Sequence, residues 1–100
     1  MTRHVDLRPD HARIVREILA RCLPSGVAAL AFGSRAKGTA KPYSDLDLAL
    51  KGEDRLPLAL IADLVEAFSE SDLPFRLDVL DWRSVAPTFR ASIERDGVEL

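Results

Sequence analysis

Residues 45–50 read Asp-Leu-Asp-Leu-Ala-Leu. Strict alternation fits a β-strand, whose successive side chains point to opposite faces. Leu46, Leu48 and Leu50 then share one face, and Asp45, Asp47 and Ala49 the other. Such a strand buries its leucines and carries acid on its second face, so the fold needs a sheet with one face covered.

The flanking sequence supplies the cover. Asp10–Cys22 places Ile14, Val15, Ile18, Leu19 and Cys22 on one helical stripe, opened by Pro9 and Asp10 and stopped by Pro24-Ser25-Gly26. Val27–Phe32 is a short apolar run between turn signals and reads as a buried strand. Gly33–Ser44 is rich in Gly, Lys, Ser and Pro and reads as a loop. Leu58–Phe68 is a second amphipathic helix, with Pro57 near its first turn. Arg76–Asp81 reads as a third strand, and Pro87–Asp96 as a last helix ended by Gly97. The order α-β-β-α-β-α predicts an α/β (α+β) fold: a small mixed sheet of three strands packed by helices.

Composition narrows the class. One hundred residues, 47% hydrophobic and 30% charged, suit one globular domain spanning 1–100. A chain of this size buries roughly two thirds of its unfolded surface, enough for one modest core. The net charge of −2 argues against a general nucleic-acid binder, which needs a basic face. Charge is uneven: residues 1–50 hold 8 Lys/Arg and 5 Asp/Glu (+3), and residues 51–100 hold 6 and 11 (−5). A single cysteine, Cys22, allows no internal disulfide and fits a reducing compartment. The apolar run at Val27–Phe32 is too short to span a bilayer, and Met1–Asp10 lacks the apolar stretch of a signal peptide. The expectation is a cytoplasmic protein with no membrane partner.

The loop and the acidic strand carry the chemistry. Asp45 and Asp47 point the same way about 7 Å apart and repel each other when unpaired. A divalent cation resolves that repulsion, and Mg²⁺ prefers carboxylate and phosphate oxygens. A lone Asp-x-Asp is common on surfaces, so context decides. Gly33-Ser34 closes the buried strand, where a glycine lets backbone N–H groups approach an anion and a serine adds a hydroxyl. Arg35 and Lys37 follow and can neutralise a polyphosphate. Gly33-x4-Gly38 is followed by Thr39 and Ala40, not by the Lys and Ser/Thr of a P-loop. There is no Gly-x-Gly-x-x-Gly, and Asp45-x-Asp47-x-Ala49 lacks the later ligands of an EF-hand. A third carboxylate comes from Arg76–Asp81. Asp78 and Asp81 face opposite sides of that strand, so one of them joins the pair. Asp78, mid-strand, is the choice; Asp81 sits at the strand end beside Trp82, where it can cap or be solvated. Three carboxylates around two metals is a layout for in-line phosphoryl or nucleotidyl transfer.

Gly33-Ser34, ten residues, then Asp45-x-Asp47 resembles the signature of the polymerase-β-like nucleotidyltransferase superfamily. Those four residues at that spacing arise by chance in roughly one 100-residue chain in a thousand. The stretch GSRAKGTAKPYSDLDLAL, and the segment LPFRLDVLDWRSVAPTFRASIERDGVEL, resemble its minimal nucleotidyltransferase (MNT) branch. The resemblance runs from about Ala12 to Leu100. It implies the nucleotidyltransferase fold, with ATP as substrate and two Mg²⁺. Ser34 and the backbone after Gly33 would hold the β- and γ-phosphates. Asp45 and Asp47 would bind both metals, and Asp78 would bind one and help deprotonate the attacking hydroxyl. Arg35 and Lys37 would steady the phosphates. The resemblance also implies a partner, a HEPN-domain ribonuclease toxin silenced by transfer of AMP to a tyrosine.

Two other readings stand beside this one. A small-molecule nucleotidyltransferase of the aminoglycoside type would need an acceptor-holding domain for which 100 residues leave no room. A non-catalytic antitoxin acting by complex formation need not keep a metal site. The remaining residues read as ordinary structure. His4 lies at the N-terminus and His11 in a helix first turn, neither with a partner for catalysis. Cys22 reads as core, Trp82 as a packing anchor, and Asp63, Glu66, Glu70, Arg13, Arg16 and Arg21 as solvated helix faces.

Overall fold

A computed structural model describes residues 5–41 and 43–100; His4 lies outside them. The order is α1 (Pro9–Cys22), β1 (Ala28–Phe32), α2 (Ser34–Lys37), β2 (Leu46–Lys51), α3 (Leu58–Ser69), β3 (Leu77–Asp81), a 3-10 turn at Trp82–Ser84, α4 (Pro87–Asp96) and β4 (Val98–Glu99). The strands form one mixed sheet in the order β3-β2-β1-β4. β1 is antiparallel to β2 and β4. β2 and β3 run parallel, as a helical crossover such as α3 permits. The fold class is as expected.

Alternation sets the layers. Opposite Ala31 and Ala29 of β1 stand Leu48 and Leu50 of β2, and these face a core built with Val15, Ile18 and Leu19 of α1 and Leu64 and Phe68 of α3. Leu46, Leu48 and Leu50 are all fully buried, each worth roughly 1.5–3 kcal/mol over an exposed side chain. On the second face α4 lies against β1, with Phe89 edge-on to Phe32 at 5.8 Å between ring centroids.

Three details differ from the sequence reading. A fourth strand, β4, pairs Val98 with Ala31 and Glu99 with Leu30; two residues show no periodicity, and backbone pairing alone makes the strand. The Gly33–Ser44 loop contains the single helical turn α2, too short for a 3.6-residue pattern. The second face of β2 is acidic only at its start: Ala49 on that face is fully buried, and Lys51 beyond it pairs with Glu94 of α4. No helix among the described residues is long and apolar enough to cross a membrane.

Candidate active site

Asp47 is where the sequence-predicted site converges. It stands opposite Phe32 across the β1–β2 ladder and opposite Asp78 across the β2–β3 ladder. The residue after Phe32 is Gly33, with φ +77° and ψ −153°, a conformation that essentially only glycine adopts. A Cβ on Gly33 would collide with the Asp47 carboxylate. The glycine thus serves twice, turning the chain into α2 and letting a carboxylate lie against bare backbone. Ser34 begins α2, whose first turn closes on the Gly33 carbonyl through the N–H groups of Ala36 and Lys37, both at 3.1 Å. Asp45 sits one residue before β2 and is exposed, as is Asp78; Asp47 is half-buried.

The electrostatics follow. Burial raises the Asp47 carboxyl pKa from its ordinary value, and the charges of Asp78 and Asp45 push it the same way. Among the described residues no three His, Cys, Asp or Glu side chains already converge as a ligand set for a metal ion. Asp45 and Asp78 lie near enough for their charges to act on Asp47. Their hard oxygen donors, with a glycine cradle beside the central one, suit a divalent cation of the Mg²⁺ type.

One expectation needs correction. Arg35 does not face the acidic cluster. Its side chain is buried, its Nε donating to the Ser44 carbonyl at 2.9 Å and its Nη1 to the Asp6 carbonyl at 2.8 Å, with the guanidinium 4.3 Å from the centre of the Phe75 ring. Burial separates Asp78 from Asp81. Asp81 is the buried one, because its carboxylate accepts from Leu56 N at 2.8 Å and Arg83 N at 3.0 Å. Asp81 is therefore a structural cap, and Asp78 is left facing Asp47.

The other placements are plain. Lys37 is exposed and lines a cavity of ≈ 250 Å³ with Gly33, Phe89 and Asp96. Phe89, which sequence periodicity marks only as a helix-stripe residue, stays 44% exposed beside this cavity. The larger cavity of ≈ 640 Å³ lies at the opposite end of β1, around Leu19, Leu23, Val27 and Leu100, away from the carboxylates. His11 packs edge-on to Phe75, and Cys22 packs against the core. Trp82 anchors a cluster with Lys51, Arg83 and Arg90 within 4.6–5.3 Å of its ring.

Residues 15–100 match the family model described as polymerase beta, nucleotidyltransferase. The chain belongs to the polymerase beta nucleotidyltransferase family. It is 46% identical over 91 residues to the "Probable protein adenylyltransferase MntA" of Haemophilus influenzae, covering 91% of this chain and 79% of that protein. A solved structure assigned provisionally as a minimal nucleotidyltransferase is 35% identical, with a TM-score of 0.70, over 97% of this chain and 98% of that one. A toxin–antitoxin crystal structure with AMP-PNP shares the fold at 24% identity and a TM-score of 0.71, over 87% of this chain and 69% of that one. Membership of the polymerase beta family makes this chain an enzyme, a nucleotidyltransferase.

Proposed function

We propose that this nucleotidyltransferase is a Mg²⁺-dependent protein adenylyltransferase, the antitoxin of a pair, moving AMP from ATP to a tyrosine of a HEPN-domain toxin in the cytoplasm. The observation that carries the reading is the pairing of Asp47 with Asp78 across β2 and β3, with Asp45 two residues away and Gly33 packed on Asp47. Support for a protein acceptor comes from the similarity to the Haemophilus influenzae relative and from the fold shared with a toxin–antitoxin structure.

Ser34 and the backbone around Gly33 would hold the β- and γ-phosphates, with Lys37 in reach of the same cavity. Asp45, Asp47 and Asp78 would hold two Mg²⁺, which supply charge neutralisation at the α-phosphate. Asp78, on the edge strand β3, helps take the proton of the acceptor hydroxyl. The hydroxyl oxygen forms a bond to the α-phosphorus while the bond to the leaving pyrophosphate breaks. Chemistry of this kind depends on positioning and electrostatics more than on covalent participation by the protein.

The test is a transfer assay with ATP labelled at the α-phosphate, Mg²⁺ and clarified host lysate, run beside Asp78→Asn. The expected result is a labelled protein band that disappears with the variant, with mass spectrometry locating AMP on a tyrosine of a HEPN-domain protein. Label appearing only in a small molecule, or a band undiminished by Asp78→Asn, would overturn the proposal.

A further inference from the structure

Arg35 touches the residues leading into both carboxylate-bearing strands. Its Nε bonds the carbonyl of Ser44, immediately before Asp45. Its guanidinium lies on the ring of Phe75, three residues before Asp78. Next to Phe75, the Arg76 carbonyl accepts from Leu46 N at 2.9 Å and opens the β2–β3 ladder. A third contact, Nη1 to the Asp6 carbonyl, is reinforced by the Asp6 N–H donating back to the Arg35 carbonyl at 2.7 Å. The backbone of Arg35 itself follows Ser34 in α2.

A buried cation is expensive unless its donors are used and its charge is stabilised. Here two carbonyls and an aromatic face do that. The three contacts come from segments distant in sequence, and two of those segments end in the carboxylates of the candidate site. A planar guanidinium fixes the directions of its donors, whereas an ammonium is a point charge that satisfies such carbonyls without a fixed fork.

We infer that Arg35 is a positioning residue: its buried guanidinium sets the register of the Ser34 turn against Asp45–Asp47 and Asp78, without touching the nucleotide. This deepens the function proposed above and rests on it. The phosphate loop is held by its own turn on the Gly33 carbonyl, so losing the guanidinium disturbs the carboxylates more than it disturbs phosphate binding.

The test uses Arg35→Lys and Arg35→Met in the full chain, with two readouts. The first needs no acceptor: amide hydrogen exchange at 43–47 and 75–78. In both variants these amides should exchange about 10-fold faster or more, while those in the middle of α1 and α3 keep their protection. The second is steady-state AMP transfer to the purified HEPN-domain acceptor. The maximal rate per folded molecule should fall about 10- to 100-fold, the scale of an ångström-level misplacement, with the KM for ATP changed by less than about threefold. Arg35→Lys keeps the charge and the stem, so it decides the matter if Arg35→Met does not fold. A lower melting temperature with unchanged rate per folded molecule would reduce Arg35 to a structural role and overturn the inference. A raised KM with unchanged maximal rate would mean direct phosphate contact and overturn it equally. Absence of transfer by the unmodified chain would sink the proposed function instead, and the exchange readout would still decide whether Arg35 sets the two segments.

Discussion

At the start of β2, Asp47 faces Asp78 across the ladder, has Asp45 two residues away, and lies against a glycine in a conformation other residues avoid. At the other end, Leu50 faces Asp81, whose two oxygens accept backbone N–H groups from Leu56 and Arg83. Around it Lys51 pairs with Glu94, and Arg83 donates to the Gly52 carbonyl at 2.7 Å. Both ends carry charge on a largely covered strand. One end satisfies every carboxylate oxygen it buries, and the other sets like charges side by side. A protein selected for stability alone would resolve the first end as it resolves the second. An unresolved cluster is what a site keeps when its counter-charge arrives with the substrate.

Asp47→Asn should break this contrast most sharply. Removing the central carboxylate is expected to lower AMP transfer by about three orders of magnitude, on the scale of lost transition-state charge stabilisation. The same substitution should raise the melting temperature of the metal-free protein, because it removes a half-buried charge repelled by two neighbours. Lower stability together with retained transfer would mean that Asp47 is structural, like Asp81.

Gly33→Ala comes next. It forces an L side chain into a conformation costing roughly 1–3 kcal/mol, and it drives the new methyl into the Asp47 carboxylate. Thermal unfolding should register a fall of about 4–8 °C per kcal/mol for a domain of this size. Transfer should fall as well, since Asp47 has to move. An unaltered melting temperature would show that the turn relaxes and that the glycine is not required.

Asp81→Asn probes the satisfied end. An amide offers one oxygen where the carboxylate offered two, leaving a buried N–H facing another donor at a cost of about 1–3 kcal/mol. Melting should shift down, while transfer per folded molecule stays at the level of the unmodified chain. The pair Asp78→Asn and Asp81→Asn therefore separates the two acids of β3, one losing transfer and the other losing stability.

Most of this architecture was legible in the chain because it rests on periodicity. The leucine alternation of β2, the stripes of α1 and α3, and the Pro87–Asp96 helix all follow from patterns of period 2 or 3.6. The contact of Gly33 with Asp47 joins the two motifs, Gly33-Ser34 and Asp45-x-Asp47, on which the family resemblance rests. What stayed hidden depends on tertiary contacts that no local pattern encodes. Arg35 sits in a run of basic and small residues that reads as phosphate-facing, and the approach of Asp6, Ser44 and Phe75 buries it instead. Asp81 reads as a strand end that can cap or be solvated, and Leu56 N, reaching it from the β2–α3 connection, decides for the cap. Gly97 ends α4 as expected, but in an extended conformation (φ −71°) rather than a left-handed one. Glycine is needed there for clearance, since a Cβ would press on the Ile93 carbonyl.

The smallest effect expected is a pH dependence, and it tests the same contrast in the unmodified chain. Asp47 has a folded-state pKa raised above its unfolded value, by burial first and then by Asp78 and Asp45. Between those two values the folded state binds more protons than the unfolded one, so stability falls as pH rises through the window. The stabilisation is fully present below the unfolded carboxylate pKa and lost above the raised one. Metal-free protein should therefore show a shallow decline in melting temperature as pH climbs from the ordinary carboxylate range, and Asp47→Asn should flatten it. Millimolar Mg²⁺ with a non-hydrolysable ATP analogue should reverse the sign in the unmodified chain, because ligand binding to the folded state then favours the ionised carboxylate. A melting curve whose pH slope is the same in Asp47→Asn would place the frustrated charge elsewhere than at the start of β2.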